Sequence, residues 1–388
     1  MRASALTVSR WALSAGLLIG SGRAWAAAVD PALFPFLGSP ATPAAAASAG
    51  TALADRWLGD LPFDNPAFRA QRGLELSPAL IHVSRQDLRA ANRNYVETSG
   101  YLDGAGGWIA VPLKRLTLFG YASQPVLRFE DNSFTRGTVA VDPANPPALI
   151  GTQAEAREFR AGAGFSWGDS ILRTGVAAEW TRRDDRYQVV ETSGSPLAGT
   201  HTTRLSGDGL GFQAGLRCGR GLAGPHPLTA GLGMRVLPAI SLEARDVFEP
   251  QTPAAADTTD YAAERGASWE GGVSARYGVS PTFALMVAAG ARGSQTWSGL
   301  GANTRTGILW SIGGAFHDPN DPWTLRFGYG FDDQPGAPEP RAGLLGLGLG
   351  WNSEGTRIEV GALRRSIHRG SNPTSYDDRV VASVGVTF

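Results

Sequence analysis

Eight arginines and three glutamates share one phase of the alternating stretches in this chain. They are Arg160, Arg173, Arg217, Arg235, Arg276, Arg292, Arg326 and Arg357, with Glu179, Glu270 and Glu359. Side chains alternate across a strand, so all eleven point the same way as the glycines, serines and threonines and away from the aromatic residues. Two chemistries suit guanidinium groups in that position. They can pair with the glutamates in a rigid ionic lattice. Alternatively, one or two of Arg160, Arg173, Arg235, Arg276, Arg292 and Arg326 can hold a ligand carboxylate through the planar N–H fork. The sequence leaves both open.

Other reactive residues are sparse. His82 and Ser84 stand two apart in "IHVS", but no Asp or Glu in the sequence is placed to orient that histidine, so no catalytic residue is expected. His82, His201, His226, His317 and His368 are widely scattered and form no metal-ligand spacing. Cys218 is the one cysteine and shares the apolar phase of Leu210, Phe212, Ala214 and Leu216, where it reads as a small apolar residue. No nucleotide-binding loop G-x-x-x-x-G-K-[ST] occurs, and no cofactor is implied. Lys plus Arg equals Asp plus Glu at 35 each, which gives no reason to expect a nucleic-acid partner.

The elements that carry these residues have period two. In "WTLRFGYGF", Trp323, Leu325, Phe327, Tyr329 and Phe331 oppose Thr324, Arg326, Gly328 and Gly330. "FRAGAGFSW", "LTAGLGMRV" and "WEGGVSARY" repeat the pattern. About fourteen strands are expected, over 74–84, 101–111, 115–131, 157–167, 171–182, 203–218, 228–248, 267–279, 282–294, 304–316, 323–332, 342–352, 356–368 and 378–388. Each is long enough to cross hydrocarbon at a tilt. Trp108, Phe119 and Tyr121 sit out of phase, so the facing of the first three strands is not fixed.

A soluble sandwich fits any single strand but not the set. Trp167, Trp180, Trp269, Tyr277, Trp310, Phe316, Trp323, Phe331, Trp351 and Phe388 concentrate at strand ends, as belts at two lipid–water interfaces require. Short turns at 112–115, 168–170, 278–282, 318–322 and 352–355 alternate with long polar loops at 85–100, 132–156, 182–201, 250–266, 332–341 and 369–377. That alternation belongs to all-β transmembrane antiparallel barrels of bacterial outer membranes, with outer-membrane lipid as the surrounding partner. An even strand count lets the first and last strands pair and leave no edge.

The first residues combine Arg2, Arg10, the apolar run "WALSAGLLIG" and Ala24-Trp25-Ala26, which reads as a secretory signal peptide over 1–26. Residues 27–72 differ in composition from the rest, being rich in Ala and Pro, with a short helix expected over 44–58. The barrel is expected over 73–388.

The stretch "SAGTALADRWLGDLPFDNPAF" resembles the N-terminal region of the FadL/TodX family of hydrophobic-compound transporters. The matching residues are Ala49, Gly50, Ala52, Ala54 and Asp55, then Asn65, Pro66 and Ala67. The resemblance implies a fourteen-stranded barrel plugged by this segment. It also implies passive transport of long-chain fatty acids or aromatic hydrocarbons, with a bend in the third strand opening the wall. Pro125 falls in that strand, where a missing ladder donor suits a bulge. It fits equally an extension above the membrane. A terminal strand ending on Phe388 resembles the signal read by the barrel-insertion machinery. The competing readings are a structural or secretion-associated outer-membrane barrel of the same kind, and an outer-membrane enzyme.

Overall fold

The structure, a computed structural model, describes residues 58, 62, 64–68, 70, 73–87, 95–97, 99–136, 148–192, 199–250, 256–298, 302–304, 306–318, 320–333, 340–369 and 373–388. The expected signal peptide lies outside these residues. So do Ala49, Gly50, Ala52 and Asp55 and the expected helix, except Leu58, which is buried.

Among the described residues nineteen strand segments form one antiparallel sheet. They are β1 (Glu75–Asp87), β2 (Tyr95–Glu97), β3 (Ser99–Leu113), β4 (Leu116–Arg136), β5 (Ala148–Gly168), β6 (Leu172–Thr192) and β7 (Gly199–Arg220). Next come β8 (Leu228–Leu237), β9 (Ile240–Pro250), β10 (Asp257–Arg265), β11 (Ser268–Ser280), β12 (Phe283–Arg292) and β13 (Gln295–Ser298). The last are β14 (Ala302–Thr304), β15 (Gly307–His317), β16 (Trp323–Asp333), β17 (Pro340–Ser353), β18 (Thr356–Arg369) and β19 (Pro373–Thr387). Five consecutive pairs, β2/β3, β8/β9, β10/β11, β12/β13 and β14/β15, are lower and upper parts of single staves. The barrel therefore has fourteen staves. Pro238, which has no N–H to give a ladder, separates β8 from β9.

The sheet closes on itself. β1 pairs with β19 from Glu75 opposite Thr387 to Asp87 opposite Ser375, and β19 pairs with β18 along its other edge. Each stave presents an apolar row outward. Phe165, Trp167, Val176, Phe212, Met234, Ile312, Leu347 and Val384 are all exposed on that surface. The band ends at aromatic clusters on two levels. The lower holds Phe283, Phe316 and Phe327, with centroids 4.7 and 5.9 Å apart in turn. The upper holds Trp310 with Tyr329 and Phe331, at 6.0 and 6.3 Å. This is the belt of a chain that spans an outer membrane with strands.

Two expectations change. The long loops at 132–156, 182–201 and 250–266 are largely strand: β4 runs on to Arg136, β5 starts at Ala148, β6 ends at Thr192, β7 starts at Gly199, and β10 covers Asp257–Arg265. Above the belt the outward positions meet water, so Arg182, Arg186, Glu243 and Arg245 replace the apolar row. The ladder continues where its apolar signal stops. The facing of the first staves is also settled. Ile109, Val111 and Leu118 point to lipid, whereas Ala110, Phe119 and Tyr121 are buried in the interior.

Candidate functional site

The short stretch Asn65–Phe68 is wedged against the inner side of the wall. The Asn65 Oδ1 accepts a hydrogen bond from the Ala67 backbone N–H at 2.8 Å, which closes a tight turn around Pro66. The Asn65 Nδ2 donates to the carbonyls of Leu216 in β7 and Leu232 in β8, at 3.4 and 3.2 Å. One side chain thus shapes the turn and ties it to two staves. The wall makes room for it with glycine. A Cβ at Gly175 in β6 would overlap the Pro66 carbonyl, and one at Gly215 in β7 would overlap the Asn65 side chain.

Phe68 follows the turn into a box of Trp108, Ala110, Phe119, Tyr121 and Ala177. Its ring meets Trp108 edge-on at 5.0 Å and Phe119 at 6.3 Å. Its carbonyl accepts from the Ser166 hydroxyl. The aromatic residues that broke the outward pattern are the ones that hold this segment.

A charged lattice lies above the turn. Glu158 meets Arg160 and Arg265 at 2.6 Å each and Arg183 at 3.6 Å. Glu270 meets Arg235 at 2.5 Å and Arg160 at 3.5 Å, while Glu179 meets Arg235 at 3.2 Å. Asp185 pairs with Arg183 at 2.7 Å. The Tyr121 hydroxyl donates to Glu179 at 2.8 Å, and Gln213 donates to both. All of these side chains are buried. Low local polarity strengthens each contact and makes any broken one costly.

A buried apolar cluster packs the interior above the lattice. Leu205, Ile240, Leu242, Ala244, Ala263 and Trp297 form one cluster, with Tyr187 and Tyr261 packed on it. The Arg183 guanidinium lies 5.8 Å from the centre of the Trp297 ring, so the lattice and the apolar cluster meet there. His201 stacks on Phe248 at 4.2 Å near the upper end. At the opposite end a hollow of about 220 Å³ is lined by Thr229, Arg276, Ser280, Thr282 and His317.

The wall is interrupted beside this interior. β4 pairs with β3 from Leu116 opposite Leu113 to Ala122 opposite Gly107, and with β2 from Asn132 onward. Among the described residues no pairing joins β3 to β4 between those two points. β3 stays paired to β1 there, up to Ser99 opposite Gln86. On its other edge β4 slips register against β5 between Ser123 and Val126. Ser123 faces Arg160 and Val126 faces Glu158, so Gln124 and Pro125 together oppose Phe159 alone. This is a bulge with one extra residue, which bends the strand. Gln124 Oε1 accepts from the Ala105 N–H at 2.8 Å at the lower corner of the gap.

The residues singled out in the sequence are placed as follows. Asn65, Pro66 and Ala67 lie at the wall contact, and Pro125 is in the bulge. Arg160 and Arg235 belong to the lattice. Arg173 donates to Ser166 Oγ at 2.9 Å, Thr117 Oγ1 at 3.3 Å and the Gly168 carbonyl at 2.9 Å. Arg326 and Arg357 share Glu359, at 2.7 and 2.6 Å. Arg292 is buried and Arg276 lines the lower hollow. Glu158, Arg183, Asp185 and Arg265 were missed, because they lie where the outward apolar row has already ended. Phe68 and its box were missed too, although the phase break at Trp108, Phe119 and Tyr121 was their signal.

His82 does have an acid: its Nδ1 lies 2.6 Å from Asp103 Oδ1 on the neighbouring stave. Strand pairing brings together what 21 residues of sequence separate. Half or more of each side chain is exposed on the outer surface. Such an open pair lacks the water-excluding cleft that nucleophilic catalysis uses. Cys218 is exposed on the lipid side, beside a hollow lined by Leu216, Leu232 and Val273.

A closed fourteen-stave barrel with an apolar belt and an inward N-terminal turn is a bacterial outer-membrane architecture. No protein-family model and no curated protein sequence matches the chain. Solved structures do match in fold. A FadL homologue from Pseudomonas aeruginosa aligns with a TM-score of 0.64 at 13% identity, over 92% of this chain and 100% of its own. The toluene transporter TbuX of Ralstonia pickettii aligns at 0.57 and 12%, over 90% and 97%. The toluene transporter TodX of P. putida aligns at 0.57 and 14%, over 91% and 99%. The chain has the fold of these FadL-type barrels.

Proposed function

We propose that the chain is a passive outer-membrane channel for hydrophobic small molecules, long-chain fatty acids or aromatic hydrocarbons, with residues 27–72 as its plug. The observation that carries this reading is the unpaired stretch between β3 and β4 next to an interior filled by Asn65–Phe68 and the charged lattice. An interrupted wall beside an interior occupied by Asn65–Phe68 supports sideways exit into lipid. The fold neighbours named as toluene transporters support the substrate class. Diffusion is the drive, since the sequence carries no nucleotide-binding loop. No catalytic role is assigned to any residue.

The test is entry of labelled toluene into intact cells with and without the protein, in the presence of an uncoupler. Faster entry with the protein, insensitive to the uncoupler, is expected. Equal entry in both strains overturns the transport reading.

A further inference from the structure

Three arginines stand side by side on the outer face of the barrel. Arg186 in β6 faces Arg204 in β7, and Arg204 faces Arg245 in β9. Asp185, Leu205 and Ala244, one residue away in each strand, are buried in the interior, so the three arginines point outward, and all are exposed. Neighbouring strands lie about 4.8 Å apart, which places the three stems within about 10 Å. Like charges directly opposite one another weaken a sheet. The chain avoids that cost elsewhere: Arg364 in β18 faces Asp378 in β19 and pairs with it at 2.7 Å.

The surrounding acids leave the row largely uncompensated. Glu155, opposite Arg186, is taken by Arg157, and Asp184 by Arg182. Asp208 accepts from the Trp180 N–H at 3.0 Å. Asp260 reaches Arg245 only at 3.8 Å, with both side chains well exposed. Glu243 lies one outward position below Arg245, opposite Ser206. Among the described residues no carboxylate forms an ion pair with Arg186 or Arg204. Arg186 is six residues beyond Trp180 in β6, where the outward apolar row ends against Phe159. At about 3.3 Å per residue and a tilt of about 40°, the row stands roughly 15 Å above that aromatic level. Phosphorylated sugars head the outer-leaflet lipid at this height, and an arginine stem can lean along the surface to reach them. The planar guanidinium fork binds phosphate oxygens two at a time. We infer that Arg186, Arg204 and Arg245 form a docking surface for the phosphate groups of an outer-leaflet glycolipid, whose anions relieve the repulsion along the row.

The test titrates the full chain, folded in detergent micelles, with fluorescent lipopolysaccharide and with the same lipid stripped of phosphate by a phosphatase. Tighter binding of the phosphorylated form is expected. The combined variant Arg186→Gln, Arg204→Gln and Arg245→Gln should weaken that binding about tenfold, the equivalent of one hydrogen bond to a charged group. Arg204→Gln alone removes the central member and should act in the same direction. Arg364→Gln, at an exposed arginine on β18, should leave binding unchanged. Mobility in unheated detergent gels confirms that each variant is a folded barrel. Equal affinity for the two lipid forms overturns the proposal, as does parent-like affinity in Arg204→Gln and the combined variant. Weakening by Arg364→Gln as large as that of the combined variant makes the attraction a property of the whole surface and overturns it too. Displacement of the lipid by inorganic phosphate at constant ionic strength overturns the lipid as the occupant of the row.

Discussion

Asn65 ties sequence to architecture through one amide. Its oxygen shapes the turn and its nitrogen reaches two staves, so replacing it removes three hydrogen bonds at a fully buried position. Asn65→Ala is expected to cost about 1–3 kcal/mol of local stability, the usual result of orphaning buried polar partners. Gly215→Val attacks the same contact from the wall side. Both variants should raise single-channel conductance in planar bilayers while still forming barrels. Conductance equal to the parent's in both would show that the turn does not obstruct the pore. The Asn-Pro-Ala turn was legible because its residue types are themselves the mechanism. Phe68 was not, because an aromatic side chain beyond a turn has no spacing that tells an interior box from a lipid face. The ion pairs were half legible: phase gave the inward direction of Arg160 and Arg235, but partner choice depends on register between staves.

At the scale of elements, β7 and β9 carry the upper end of the interior above the apolar belt. His201 and Phe248 stack there across paired positions. Burial pushes the His201 imidazole down to about 4 from an ordinary value of 6.5. A base with a depressed folded value binds its proton more readily when unfolded. Its contribution is therefore present above pH 6.5 and is lost as pH falls from 6.5 toward 4. The unfolding temperature should drop between neutral pH and pH 5 more steeply in the parent than in His201→Phe. Parallel slopes would mean that His201 is hydrated in the folded barrel. Alternating faces revealed the staves inside the belt, since lipid enforces an apolar row. Above it, water accepts any polar residue, and β10 and the upper reaches of β5 and β6 looked like loops.

On the scale of the whole molecule, closure of β1 on β19 leaves one place where described neighbours part company, between β3 and β4. The closed barrel was readable from an even number of crossings and alternating turn lengths. The break was signalled only by a proline, a residue that fits a bulge and a loop equally well. Its meaning needed the registers on both edges of β4. Sideways exit requires that break. Deleting Pro125 returns the β4–β5 ladder to one residue opposite one, with Gln124 facing Phe159, and should let β4 approach β3. The decisive measurement is the initial rate of labelled toluene entry into intact cells carrying the parent, the Pro125 deletion or no barrel, at matched amounts of folded protein. With sideways exit through the break, the deletion falls to the rate of cells with no barrel. Entry through the deletion as fast as through the parent would contradict it.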